Sequence, residues 1–473
     1  MSLVSKFSTL VFPLLLAACS VEPPAPYGPC PSEAQVRWQR MEMNMFCHFG
    51  PNTFSGLEWG EGSEPEDMFA PTDLDCRQWV AVARAAGMKG IILTAKHHDG
   101  FCLWPNPVSR HTVRESSWRE GRGDVLRELS DACREGGLKF GIYISPWDRH
   151  DSTYGTPQYN ETFRLTLESA LTQYGDIYEQ WFDGANGEGP GGRCQQYDWP
   201  LYNATVAHLQ PQAVIFSDVG PGCRWVGNER GECGETCWSR LDTEGFEPGA
   251  KGPSQDTLNQ GQREGRHWIP AETDVSLRPG WFYHPDEHPK SVAELLRIYY
   301  SSVGRNSLLL LNVPPDTRGR IAAEDSLRLV EFRAALDSIF GTDLAQGARV
   351  NASGQRGRRY RGSQVLDTSY HTYWAANDAC TTPQLTLMFP EPVTFNRVMI
   401  QEYIPLGQRV AAFHIEVMEE GRWRTLTAAT TIGYKRILLT ETVTAQALRL
   451  VIDDSPATPL INRLALYWDG VDE

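Results

Sequence analysis

Side chains able to do acid, base or nucleophile chemistry fall in this chain at the ends of short apolar runs. The run from Ile177 to Phe182 reads as a buried strand. It ends on a carboxylate, Asp183, and then Gly184, where the backbone can turn sharply. A carboxylate next to Trp181 and Phe182 is expensive to bury without a partner or a task. The plain alternative is an Asp that caps the following loop. Other polar and aromatic residues gather in the same way: His48, Glu58 with Trp59, His97 with His98, Tyr143, Asp218, Glu229, Glu272 and Trp281. A pyranose requires such a set: paired donors and acceptors for hydroxyls, rings for the apolar sugar face, and two carboxyls at the bond to be cut. One carboxylate attacks the anomeric carbon or stabilises its charge, and the other gives a proton to the leaving oxygen.

The elements that must position these residues follow a repeating pattern from about Arg37. A short apolar strand ends in polar residues, and an amphipathic helix follows and stops at Gly. Met43 to Phe49 is the first strand and carries His48. Cys76 to Ala86 is a helix, with Asp75 and Gln78 in capping-box spacing and Gly87 after its end. Strands over Gly90 to Thr94 and Lys139 to Ser145 flank a helix from Val125 to Glu135, with Asp124 as its cap. A helix over Asn160 to Tyr174 leads into the Asp183 strand. Tyr202 to Leu209 reads as helix and Ala213 to Ser217 as strand, ending at Asp218. Trp268 to Ala271 reads as a shorter strand ending at Glu272. A helix from Val292 to Val303 has a Ser291/Glu294 capping box, Ser307 to Leu311 is a buried strand, and Ala322 to Phe340 is the last helix.

Such alternation implies a parallel sheet covered on both faces. Polar residues at strand C-termini fit a (β/α)8-like barrel, which builds its active site along that edge. A doubly wound open sheet would show an early Gly-rich phosphate turn, and none is present. The pattern blurs between Val226 and His267, so one or two strands are expected to be irregular. After Gly341 helical periodicity gives way to short alternating strands, such as Gln384 to Phe389, Arg397 to Gln401, Phe413 to Met418 and Ala447 to Ile452. That is the signature of an all-β sandwich. The expected organisation is a signal peptide over 1–19, a tether over 20–36, a catalytic barrel over 37–341 and a sandwich over 342–473.

Composition narrows the partners. The chain has 473 residues, enough for two cores, and a net charge of −15, which argues against nucleic acid. The same charge makes a neutral glycan a more natural substrate than an anionic one. At the N-terminus Lys6 precedes an apolar stretch from Phe7 to Ala18, and Leu16-Ala17-Ala18-Cys19 follows. This resembles the bacterial lipoprotein signal, in which Cys19 would be lipidated, and Ser20 points to outer-membrane sorting. The expectation is a lipid-anchored protein of the bacterial cell envelope. Ten further Cys in an oxidising compartment suggest disulfides, with Cys194, Cys223, Cys233 and Cys237 as the first candidates.

Four runs then carry a resemblance. His48-Phe49-Gly50-Pro51, Leu57-Glu58-Trp59, Thr94-Ala95-Lys96-His97-His98-Asp99-Gly100-Phe101 and Trp181-Phe182-Asp183-Gly184 are similar, in content and order, to the signature runs of glycoside hydrolase family 29, the retaining exo-α-L-fucosidases. The resemblance implies double displacement without metal or other cofactor. It places Asp183 as nucleophile, and His48, Glu58, Trp59, His97, His98 and Tyr143 around a fucose, with Trp281 a candidate wall for its methyl face. The run from Arg224 to Gly231 resembles the subgroup that prefers α-1,3/1,4-linked fucose, as does Tyr403 to Val410 in the sandwich. On that basis Glu229 is the acid/base, with Glu232, Glu235 and Glu272 as rivals. The sandwich resembles discoidin-like, galactose-binding-like modules and is either a carbohydrate-binding module or a packing domain. Two other classes stay open: a metal-dependent barrel hydrolase using His97, His98, Asp99 and His48, and a non-catalytic, surface-anchored glycan-binding lipoprotein.

Overall fold

The computed structural model describes residues 22–470; Cys19 and the rest of the expected signal peptide lie outside the described residues. Eight strands form the first domain: β1 (Met43–Cys47), β2 (Gly90–Lys96), β3 (Lys139–Ile144), β4 (Ile177–Trp181), β5 (Val214–Ser217), β6 (Cys223–Trp225), β7 (Ala271–Ser276) and β8 (Ser307–Asn312). Each pairs in parallel with the next, and β8 closes on β1, giving the expected barrel. Parallel strands buried on both faces need apolar residues throughout, and β2 and β8 are buried along their whole length.

Seven helices matter here: α1 (Glu33–Gln39), α2 (Cys76–Ala85), α3 (Val125–Gly136), α4 (Pro157–Leu171), α5 (Trp199–Leu209), α6 (Val292–Ser301) and α7 (Ala323–Phe340). Local chemistry sets their ends. The Asp124 side chain accepts from Arg127 N, and α3 stops at Gly137, whose φ of 71° is the left-handed conformation a side chain would resist. The Ser291/Glu294 box closes in both directions. The Asp75/Gln78 box is only half made: Asp75 caps Gln78 N, but the Gln78 amide instead bonds Ile321 N and O, tying α2 to the segment before α7. Helix α1 seats Trp38 in the barrel interior, where its indole donates to Glu179 at 2.8 Å.

Two departures from the sequence pattern concern the site. Strand β7 is not the expected Trp268 to Ala271 but begins at Ala271 and runs to Ser276, while His267–Trp268 pairs separately with Arg240–Leu241, so Glu272 lies near the strand's start and deep in the barrel. Its polar residues Glu272, Asp274 and Ser276 alternate, and an alternating polar face looks like loop when the interior is expected to be apolar. Strand β6, three residues long, follows β5 with no helix between them; this is the irregularity expected around Val226.

The second domain is antiparallel. The segments Gln384 to Phe389 and Arg397 to Gln401 are halves of one strand, Gln384–Glu402, whose register against Arg436–Asp454 shifts at bulges near Met388 and Phe395. Leu385, Leu387, Val398, Val417, Leu448 and Leu450 form its core. Met399, Ile437, Ala465 and Tyr467 instead pack into the barrel's core, so the domains share an apolar seam. None of the ten described cysteines is bonded to another, against the expectation of disulfides. Cys223 faces Glu179 inside the barrel at 3.7 Å and Cys194 is exposed elsewhere, while the Cys233 thiol donates to Asn259 O at 3.5 Å and the Cys237 thiol to Asn306 O at 3.9 Å. Among the described residues no helix is long and apolar enough to cross a membrane.

Candidate active site

Asp183 sits just past the end of β4, at the mouth of the barrel. Its Oδ1 accepts from Ala185 N at 2.7 Å and its Oδ2 from the Tyr143 hydroxyl at 3.0 Å. Burial pushes its carboxyl above the usual range, and these two donors work against that. Gly184 is needed behind it, because a Cβ there would lie 2.3 Å from Asp218 Oδ2. Asp218 thus packs behind the turn, bonded to Gly249 N, and does not line the cavity.

A cavity of about 200 Å³ opens over Asp183. It is lined by Phe46, His48, Glu58, Trp59, His97, His98, Tyr143, Trp181, Ala185, Glu229, Asp274 and Trp281. Of the eleven residues gathered from the sequence, the nine assigned as catalytic or substrate-binding meet there, and Asp218 and Glu272 do not. His97 and His98 both reach it because they follow the end of β2, after a register shift near Thr94, and are free of strand alternation. The floor is Trp181, stacked on Phe216 at 4.0 Å. Trp59 stands at the rim with 61% of its surface exposed.

The hydrogen-bond network assigns each imidazole a tautomer. Asn312 spends Nδ2 on Trp281 O and Ser276, so its Oδ1 must accept from His48 Nδ1–H at 2.9 Å. Ser145 donates to Trp147 O and therefore accepts from His98 Nδ1–H at 2.7 Å. Asn52 Nδ2, fixed by Glu58 O, faces His97 Nδ1 at 3.4 Å as donor. Nε2 is thus an acceptor on His48 and His98 and a donor on His97. Burial holds all three neutral, with the pKa of His48 and of His98 lowered to about 3. The result is an uncharged array of mixed polarity, suited to sugar hydroxyls.

Glu229 faces this array from the loop after β6. Burial raises its pKa and the nearby Asp183 charge adds to that, while the Trp281 indole, donating to Oε2 at 3.2 Å, works the other way. Glu58 anchors the Trp281 segment, with Oε2 accepting from Trp281 N at 2.9 Å and Oε1 paired with His284 at 2.9 Å. The rivals of Glu229 lie elsewhere. Glu232 and Glu235 line a different cleft, of about 900 Å³, and are paired with Arg297, Arg305 and Arg436. Glu272 lies beneath the floor, accepting from the Trp181 indole at 2.8 Å, and its carboxyl meets that of Glu179. Burial raises the pKa of both members of this pair, and the Glu179 charge raises that of Glu272 further.

One ionisable cavity residue falls outside the set drawn from the sequence. Asp274 is buried and accepts from the Trp225 indole at 2.9 Å; burial and the Glu229 charge push its carboxyl well above the usual range. The i, i+2 spacing of Glu272, Asp274 and Ser276 is the signal that points to it. Asp99, one member of the possible metal set, bonds Phe101 N at 2.7 Å and does not line the cavity. The described group with metal-like spacing is Glu179, Cys223 and Glu272, and contains none of those histidines.

Comparisons with known proteins bear on the family and the fold. The alpha-L-fucosidase family model matches residues 31–337, and an F5/8 type C domain model matches 349–465. Alpha-L-fucosidase 1 of Arabidopsis thaliana is 45% identical over 453 residues, covering 94% of this chain and 89% of that one. A glycoside hydrolase 29 family member from a rumen bacterium is 41% identical, with a TM-score of 0.84, over 95% of this chain and 79% of the other. A Ruminococcus gnavus glycoside hydrolase family 29 fucosidase, solved in complex with fucose, is 32% identical, with a TM-score of 0.88, over 95% and 96% of the two chains.

Proposed function

The chain belongs to the alpha-L-fucosidase family of glycoside hydrolases, and from that premise we propose that it removes terminal α-1,3- or α-1,4-linked L-fucose by double displacement, with Asp183 as nucleophile and Glu229 as acid/base. In the first step an Asp183 carboxylate oxygen bonds to the anomeric carbon as the glycosidic bond breaks, and Glu229 gives its proton to the departing oxygen. In the second step Glu229 takes a proton from water, whose oxygen displaces Asp183 and frees fucose. The first step leaves the nucleophile neutral, which lowers the Glu229 pKa at the moment it must act as base.

The observation that carries this reading is the meeting of Asp183 and Glu229 in one cavity with three neutral imidazoles. The linkage preference is supported by the runs from Arg224 to Gly231 and from Tyr403 to Val410. The lipid anchor at Cys19 and an outer-membrane address are supported by Leu16-Ala17-Ala18-Cys19 and Ser20.

Two variants test the chemistry. Asp183→Ala should lose turnover by several orders of magnitude while still folding. Glu229→Ala should retain activity on aryl fucosides with good leaving groups and be rescued by azide. Azide rescue of Glu272→Ala instead would transfer the acid role to Glu272. A panel of α-1,2-, α-1,3-, α-1,4- and α-1,6-fucosylated oligosaccharides tests the linkage.

A further inference from the structure

The run from Tyr403 to Val410 and the segment following Glu229 meet in space. Gln408, wholly buried, pairs with the chain at Cys237 and Ser239 as a neighbouring strand would. Its Nε2 donates to Cys237 O at 3.0 Å and its Oε1 accepts from Ser239 N at 2.7 Å. Thr431 Oγ1 accepts from Cys237 N at 2.8 Å. Arg436 donates to Glu235 O at 2.6 Å and to its carboxylate at 2.5 Å. The upstream half of the segment is held by the barrel instead. Cys233 N donates to Ser301 O at 2.8 Å, Arg305 donates to Cys233 O at 3.0 Å, and Asn259 Nδ2 donates to Glu232 O at 3.0 Å. Residues 228–239 are therefore strung between the two domains, with Glu229 near the barrel end.

We propose that the sandwich is a working part of the active site: Gln408 and Thr431 are positioning residues that hold the acid/base segment so that Glu229 meets the leaving oxygen. The proposal rests on Glu229 being the acid. Without the Gln408 amide, a buried N–H and a buried C=O lose their partners, and the segment has to shift to satisfy them. Displacing a reacting group by about 1 Å costs on the order of 100-fold in rate. That loss should fall on the protonated step alone, because the rest of the cavity comes from β1, β2, β3, β4 and β7 and the loops after them and, apart from Glu229, takes no residue from the 228–239 segment.

The test uses the full chain with Gln408→Ala and, as a smaller change, Thr431→Val, each checked for folding by thermal melting. kcat/KM is measured on dinitrophenyl α-L-fucoside, whose leaving group needs no proton, and on phenyl α-L-fucoside, whose leaving group does. The expected result is a fall of about tenfold or more in the phenyl-to-dinitrophenyl rate ratio. Equal losses on both substrates, or none, overturn the proposal. If Gln408→Ala does not fold, the Thr431→Val ratio decides. Glu229→Gln is run alongside. If it leaves the ratio unchanged, Glu229 is not the acid and the earlier assignment falls; if it collapses the ratio while the sandwich variants do not, only the role of the sandwich falls.

Discussion

Replacing Trp281 by Phe keeps a ring beside the cavity but removes the indole N–H that reaches Glu229 Oε2 at 3.2 Å. The backbone N–H of residue 281, which holds Glu58, is untouched. A hydrogen bond to a charged group is worth about 1.5–3 kcal/mol. At 3.2 Å this one lies at the long end of the range, so about 1 kcal/mol is the better figure. The donor favours the charged form, so its loss disfavours the carboxylate and raises the Glu229 pKa. At about 1.4 kcal/mol per unit, the rise is roughly 0.7 unit. On the proposed mechanism Glu229 is protonated in the first step, so the alkaline limb of kcat/KM, which reports the free enzyme, should move up by that amount. On the same proposal the acid limb is that of Asp183, whose donors are Ala185 and Tyr143, and it should stay in place. An alkaline limb that stays put or moves down would refute the assignment of that limb to Glu229.

Other perturbations give distinct outcomes. Lys96 and Asp148 form a buried ion pair at 3.0 Å beneath His98, and Lys96→Met should lower stability in denaturant unfolding by about 3–5 kcal/mol, because Asp148 would keep a buried charge without its partner. Burial opposes the charge on Asp148, yet Lys96 and neighbouring N–H groups hold its pKa below the usual range, so this contribution is present above the unfolded value and fades as pH falls through the folded one. Glu272→Gln keeps an acceptor for the Trp181 indole and should stay close to wild type in rate; Glu272→Ala orphans that N–H and should cost about 1–3 kcal/mol in thermal or chemical unfolding, with no azide effect.

Much of the fold is legible in the sequence because α/β alternation is a repeated signal with marked ends. Strand β4 and its Asp183 stand out from one apolar run, since bulky residues leading straight into a carboxylate and a glycine fit few local structures besides a buried strand that surfaces at its end. The parts that escape lack a period long enough to register. Strand β6 is three residues in a Gly-rich stretch, and its place is set by pairing with β5 and β7 rather than by its own pattern. The sequence pattern puts Glu272 at the mouth because polar residues ordinarily end buried strands, whereas β7 lines the interior with them and satisfies them with Trp181 and Trp225 indoles. The same regularity hides Asp274. Cysteine count implies bridges, but pairing depends on distances that sequence does not carry.

The Trp181 floor has a further consequence. Below it the barrel is plugged by the Glu179–Glu272 pair and Trp38, so the hollow has no passage onward through the barrel. A sugar lowered into it cannot leave downwards, while whatever it was attached to stays above. Under the proposed double displacement, departure is then sequential: the upper fragment leaves first, water descends along the route it vacates, and the monosaccharide is the last to go. Inhibition patterns by the two products would carry that order, with free fucose competing against substrate for the empty hollow.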